Sequence, residues 1–238
     1  MKKLLLNIFL FSFFQNCFSQ EGYFYHKKGE GDKYFVSLGY GEGIAYWNSV
    51  FKSTEFYDKD GSVINRGDFE FIANSPTKHY DVNVLAPIKK IRLGLGICFE
   101  HHYLSQLKFY SKSGEEYLLF DEGLRFDKIY LNAEIPFKYI SNKKYSFSWN
   151  VHCGWFSYTN VKRFNFIGEK PFPIAILGCA GMTADYEIYP AIYVFAFPNI
   201  EYKYYNNARS EAPVDIVHRV FSASVIGGIR VDMGKFNY

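Results

Sequence analysis

The chain has 238 residues, with 27 Lys and Arg against 24 Asp and Glu for a formal net charge of +3, and 21% of it is aromatic. Such a composition suits one folded domain with a sizeable core and excludes a disordered or low-complexity chain. A mean hydropathy of -0.16 excludes a polytopic helical membrane protein, because several spans of about 20 apolar residues would lift the average well above zero.

At the N-terminus, MKKLLLNIFLFSFFQNCFSQ places Lys2 and Lys3 ahead of an apolar stretch at 4–14, the layout of a secretory signal peptide. Cys17 and Ser19 supply small residues at the third-last and last positions for cleavage after Ser19. Residues 1–19 are therefore expected to be removed, with 20–32 as a short segment before the folded domain. Lipidation of Cys17 would need a small residue before it, where Asn16 stands. Cleavage removes two lysines and no acid, leaving 25 bases against 24 acids and no basic arm for nucleic acid. Cys98, Cys153 and Cys179 remain, an odd and widely spaced set with no CxxC, so they read as small apolar strand residues. No metal or cofactor is expected.

The rest of the chain alternates with a period of two, because successive strand side chains point to opposite faces. Tyr34, Val36, Leu38 and Tyr40 oppose Phe35, Ser37, Gly39 and Gly41. Tyr80, Val82 and Val84 oppose Asp81 and Asn83, and Ile91, Leu93, Leu95, Ile97 and Phe99 oppose Arg92, Gly94, Gly96, Cys98 and Glu100. Ile129, Leu131, Ala133 and Ile135 oppose Tyr130, Asn132, Glu134 and Lys138; Phe147, Trp149, Val151, Cys153 and Trp155 oppose Ser148, Asn150, His152 and Gly154. Three more strands follow around Ile174 to Ile188, Ile192 to Lys203 (where Pro198 predicts a local break) and Phe221 to Met233. Eight strands are thus predicted. Short turns at 86–90, 141–144 and 189–190 alternate with long polar connections near 42–78, 104–126, 159–172 and 205–217. This predicts an all-β fold, a single antiparallel up-and-down barrel over 33–238.

The solvent on each face follows from composition. A soluble barrel would carry Lys, Glu and Thr outside, whereas here the polar faces are Gly and Ser with isolated charges of both signs, which suits a crowded interior. Tyr34, Tyr40, Tyr80, Phe99, Phe137, Tyr145, Trp155, Tyr186 and Tyr202 fall towards the ends of the apolar faces, as rings at a membrane interface do. Closing the barrel leaves no unpaired backbone in lipid. The chain thus reads as a transmembrane barrel, its near-neutral hydropathy the average of lipid-facing and lumen-facing residues.

The segments YFVSLGYGEG, LAPIKKIRLGLGICFEH, GMTADYEIYPAIYVFAFPNIEYKY and SASVIGGIRVDMGKF resemble the outer-membrane β-barrel proteins of Bacteroidetes-type Gram-negative bacteria, of OmpX-like or OmpW-like size. The resemblance implies an outer-membrane location. Such barrels end on an aromatic in the outward phase, whereas Phe236 and Tyr238 are out of phase with Val231 and Met233, so Gly234 is expected to host a bulge or the terminus is atypical. HHYLS resembles the His and Ser of lipid A deacylase barrels. However, His102 and Ser105 are three apart and would face opposite sides of a strand, so the pair reads as the wet end of a strand.

Other candidate chemistry is thin. His152 reads as a satisfied interior group, and His26, His79 and His218 as isolated loop residues. Asp58, Asp60 and Gly61 hint at a calcium loop, but the later glutamate is replaced by Phe69, so a polar turn is expected. An eight-stranded bore holds only side chains, and unpaired charges there cost several kcal/mol. Arg92, Lys138, Lys203 and Arg230 are therefore expected to neutralise Glu100, Glu134, Asp185, Glu187, Glu201 and Asp232 in one network that plugs the lumen. The expected role is structural, binding or interaction, without enzymatic activity. Outer-membrane lipid is one partner; an external protein or ligand would meet the 42–78 segment, which carries Trp47, Phe51, Phe56, Tyr57, Phe69 and Phe71. The alternatives are a lipid-modifying enzyme, a narrow channel for small solutes and a soluble lipocalin-like binder, the last disfavoured by polar inward faces.

Overall fold

Strands in a sheet leave two unpaired edges, and closing the sheet on itself removes both. The computed structural model, which describes residues 34–88, 90–110, 116–137, 144–159, 174–206 and 215–236, has this closed form. The expected signal peptide and the 20–32 segment lie outside the described residues. Eight antiparallel strands follow in chain order: β1 (Phe35–Tyr57), β2 (Val63–Ile88), β3 (Ile91–Tyr110), β4 (Glu116–Pro136), β5 (Tyr145–Thr159), β6 (Ile174–Tyr189), β7 (Ile192–Asn206) and β8 (Asp215–Asp232). The ring closes where β1 pairs with β8 from Phe35↔Asp232 to Lys52↔Asp215.

Following the ladder from Phe35 through Leu85, Gly94, Asn132, His152, Cys179, Glu201 and Ser222 returns to β1 at Ala45, ten residues further on. Ten residues of stagger over eight strands correspond to a tilt of roughly 40° and a bore that side chains fill. The short turns and both ends of the barrel strands, Phe35 and Asp232, share one rim, and the long hairpins rise from the other.

Towards the short-turn rim the outward face is apolar. Leu38, Leu95, Ile129, Ile200 and Phe221 are 58–67% exposed, while Ser37, Asn132, Thr183 and Ser222 on the inward phase are buried. Aromatic pairs flank this band, Tyr145 with Tyr186 at 4.7 Å near one rim and Tyr40 with Tyr80 at 5.4 Å towards the other. Farther from the short turns the pattern inverts. Ala45, Trp47, Phe51, Leu104, Phe126 and Ile216 fill the inside, and Asn48, Lys52, Glu70 and Asn74 lie outside.

That inversion explains two corrections. The 42–78 segment is not a long loop: β1 continues to Tyr57 and β2 starts at Val63, joined by a tight turn with Gly61 at φ 81°. The 104–126 segment likewise extends β3 and β4, with only 111–115 outside the described residues. Beyond Tyr46, the outward residues Asn48, Lys52, Glu70 and Asn74 break the aliphatic run that marks a strand in lipid. Beyond Thr77↔His102 β2 pairs only with β1, so the two hairpins rise as arms that meet at Tyr57↔Tyr110. The connections at 160–173 and 207–214 lie outside the described residues. Pro198 points outward and keeps its register with Val225 on β8, while on its other side the β6–β7 ladder has no pair between Gly181↔Asn199 and Ala184↔Ala196, the local break expected there. At the C-terminal end the strand gives way to a 3-10 turn, Met233–Phe236, rather than a bulged continuation.

Glycine has a definite use at Gly96. A Cβ there would lie 2.1 Å from Cζ of Tyr130, the residue opposite it on β4. The bare backbone lets the Tyr130 ring cross β3, stack on His152 at 4.3 Å and donate its hydroxyl to Asp81 on β2 at 2.5 Å. Gly96→Leu is expected to expel this ring and cost about 1–3 kcal/mol, read as a lower urea midpoint for the detergent-folded barrel; an unchanged midpoint would contradict the packing.

Candidate functional site

An eight-stranded bore brings opposite walls within side-chain reach, so the strands' sequence order decides which charges meet across it. Glu100 on β3 and Lys128 on β4 face Glu201 and Lys203 on β7. Lys128 Nζ lies 2.9 Å from Glu100 Oε2 and 2.9 Å from Glu201 Oε2; Lys203 Nζ lies 3.0 Å from Glu100 Oε1 and 2.9 Å from Glu201 Oε2. The four charges form a closed square of alternating sign. Lys203 also donates to the Ser222 hydroxyl on β8 at 3.0 Å.

A second neutral foursome lies nearer the short turns. Arg92 on β3 pairs with Glu134 on β4, and Arg230 on β8 reaches across to Glu134 at 3.1 Å and to Asp185 on β6 at 3.2 Å. Its Nε donates to Ser37 at 3.1 Å. Phe35 sits between the two guanidinium groups, 4.8 Å from Arg92 and 5.1 Å from Arg230, and edge-on to Tyr193 at 5.5 Å. Between the foursomes is a cavity of about 20 Å³, bordered by His79, Asp81, Cys98, Tyr130, His152 and Cys179 and large enough for about one water. Above the square, Trp47, Phe51, Phe126 and Phe156 cap the bore.

These contacts rearrange the sequence expectation. The charges divide into two separate groups of four, and Lys128 occupies the role assigned to Lys138, which lies outside the described residues. Glu187 is half-buried at the β6–β7 turn, accepting the Ala191 N–H at 3.2 Å. Asp232 is buried at the end of β8, accepting the Gly234 N–H at 3.1 Å. His79 and His218 are not loop residues but buried ones, on β2 and β8, and His102 is inside the bore rather than at a wet strand end. Asp58 and Asp60 accept the N–H groups of Lys59 and Ser62 in the β1–β2 turn. Hydrogen bonds from the Ser62 backbone and hydroxyl hold the Asp60 carboxyl below the usual carboxylate range.

His102 completes a relay that sequence spacing could not find, because its members come from two strands. Its Nε2 lies 3.0 Å from Glu100 Oε1, and its Nδ1 lies 3.2 Å from the Ser75 hydroxyl. Trp47 Nε1 donates to both Ser75 Oγ and His102 Nδ1, at 3.1 and 3.2 Å. With an N–H aimed at it, Nδ1 is the acceptor and Nε2 carries the proton. A serine, a basic nitrogen and a carboxylate thus stand in the order of a hydrolytic triad. Yet Trp47, Ser75, His102 and Glu100 are each fully buried, so no scissile group reaches Ser75 in this conformation.

No protein-family model and no curated protein matches the chain. Among solved structures it is similar to the outer membrane protease OmpT from Escherichia coli, with 10% identity, a TM-score of 0.38 and coverage of 85% of this chain and 97% of that one. It is also similar to Neisserial surface protein A, with 14% identity, a TM-score of 0.38 and coverage of 83% and 98%. For OprG from Pseudomonas aeruginosa the values are 10%, 0.39, 84% and 95%.

The square yields a sharp expectation. Glu100→Gln leaves two buried ammonium groups facing one carboxylate and is expected to cost about 3–5 kcal/mol. Replacing Glu100, Lys128, Lys203 and Glu201 together by Leu or Met should cost far less, because no charge is then stranded. Urea titration in detergent measures both, and a single substitution no worse than the quadruple one would contradict the square.

Proposed function

We propose that the protein is an outer-membrane β-barrel of a Gram-negative bacterium, exported by a signal peptide cleaved after Ser19. In this reading it is a non-enzymatic, non-conducting wall element that holds two hairpin arms outside the membrane. The observation that carries the reading is the inversion of the wall: apolar out and polar in over the band nearer the short turns, apolar in and polar out beyond it. Lipid on the outside of the band and water outside the arms account for both halves. Exposed leucine and isoleucine at this density in water would be an aggregation hazard.

The sealed bore supports a structural or interaction role over transport. Every storey of it is occupied, by Phe35 with the arginines, by Tyr130 with His152, by the Lys and Glu square, and by the aromatic cap. Contact with an external protein or ligand falls to the β1–β2 arm, where Val63, Ile64 and Ile72 are exposed. Planar-bilayer recordings test the sealed lumen. The unmodified protein should show no steady conductance, and Arg230→Ala should either open one or lower the urea midpoint by removing a buried cation from Glu134 and Asp185. A steady current through the unmodified barrel would contradict the reading, as would its recovery in the aqueous fraction without detergent.

A further inference from the structure

One charged residue stands at the margin of the apolar band, just past the Tyr40 and Tyr80 rings. Along β1 the outward positions run Val36, Leu38, Tyr40, Glu42, Ile44 and Tyr46, so an exposed carboxylate lies at the edge of the apolar band with apolar residues on both sides of it along the strand. Tyr40 donates its hydroxyl to Glu42 Oε1 at 2.5 Å. Lys78 is directly opposite on β2 but turns its ammonium over the Tyr103 ring, 5.5 Å from the centroid. No cation lies within ion-pair reach of Glu42 among the described residues. A carboxylate at the margin of hydrocarbon, with no cation of its own, favours a cationic group beside it.

On the side of Glu42 away from Lys78 the wall is hollow. A groove of about 770 Å³ runs outward of β1, β8, β7, β6 and β5, beginning at Glu42 and ending at Trp149. Its floor is low because Ala223, Pro198 and Ala180 stand on the outward phase, while Ile44, Ile200 and Met182 form its sides. One end of an apolar trough thus carries a carboxylate braced by a tyrosine hydroxyl. Hydrocarbon suits the trough and a cation suits its end.

We propose that this groove is a binding site for a membrane aminolipid, with the acyl chains along the Ala223, Pro198 and Ala180 floor and the headgroup ammonium against Glu42. The site rests on the reading of the barrel as membrane-embedded. It selects for headgroup charge: an ammonium neutralises Glu42, while a phosphoglycerol headgroup places like charge beside it. The exposed ion pair is worth a modest preference, roughly two- to five-fold.

Trp149 reports on the groove directly. In a Trp155→Phe background it is the one lipid-facing tryptophan, since Trp47 is enclosed in the bore. The full protein is reconstituted in vesicles containing acyl-brominated phosphatidylethanolamine or acyl-brominated phosphatidylglycerol at equal mole fraction. The ethanolamine lipid should quench Trp149 with roughly two- to five-fold higher apparent affinity. Glu42→Gln should abolish the difference, and Ala223→Leu should reduce it by raising the floor with Glu42 intact. Equal quenching by the two lipids in the unsubstituted groove overturns the proposal, as does a preference that survives Glu42→Gln. Quenching by neither lipid instead overturns the membrane reading beneath it.

Discussion

The square formed by Glu100, Lys128, Lys203 and Glu201 ties together walls that lie opposite each other in the ring, β3 and β4 on one side and β7 on the other. A barrel of this size cannot leave such groups in water or bury them singly, so alternate signs must meet across the bore. The neighbouring packing follows from that. Glu100 also fixes His102, which fixes Ser75 and Trp47, and Trp47 begins the aromatic cap. Removing any one charge strands its partners in a medium that cannot solvate them.

Much of the barrel was legible in the sequence because lipid is an exacting solvent. Over Ile91 to Phe99 every outward residue is aliphatic or aromatic, and the inward phase is short or charged. Arg92, Glu134, Asp185 and Arg230 could be placed on that phase by counting in twos. Lys128 was missed and His102 misplaced because they lie where the outward neighbours, Arg125, Asp127 and His101, have already become polar. There the alternation does not vanish; its sign reverses, with Phe69, Phe71 and Ala73 packed against the cap and Glu70 and Asn74 outside. Continuing the inward phase of each strand through the polar stretch would have found both residues and the two arms. The relay of Ser75, His102 and Glu100 offered no such signal, because β2 and β3 are brought together only by their register.

The same contrast of solvents gives Glu42 its meaning. On an aqueous surface a glutamate beside a tyrosine needs no account, but at the margin of the apolar band, with no cation in ion-pair reach among the described residues, it favours a cationic neighbour. The groove beside it adds shape to that demand. The two features together turn a wall position into a candidate for lipid recognition.

The central claim, that one face of each strand meets lipid and the other a sealed interior, is tested most directly by spin-label accessibility along β8 in reconstituted vesicles. Labels at 221, 223, 225, 229 and 231 should be relaxed by dissolved oxygen and shielded from a water-soluble nickel chelate, while a label at 219 should respond to the chelate. Strong relaxation by the chelate at 223 and 225 would place that face in water and contradict the account.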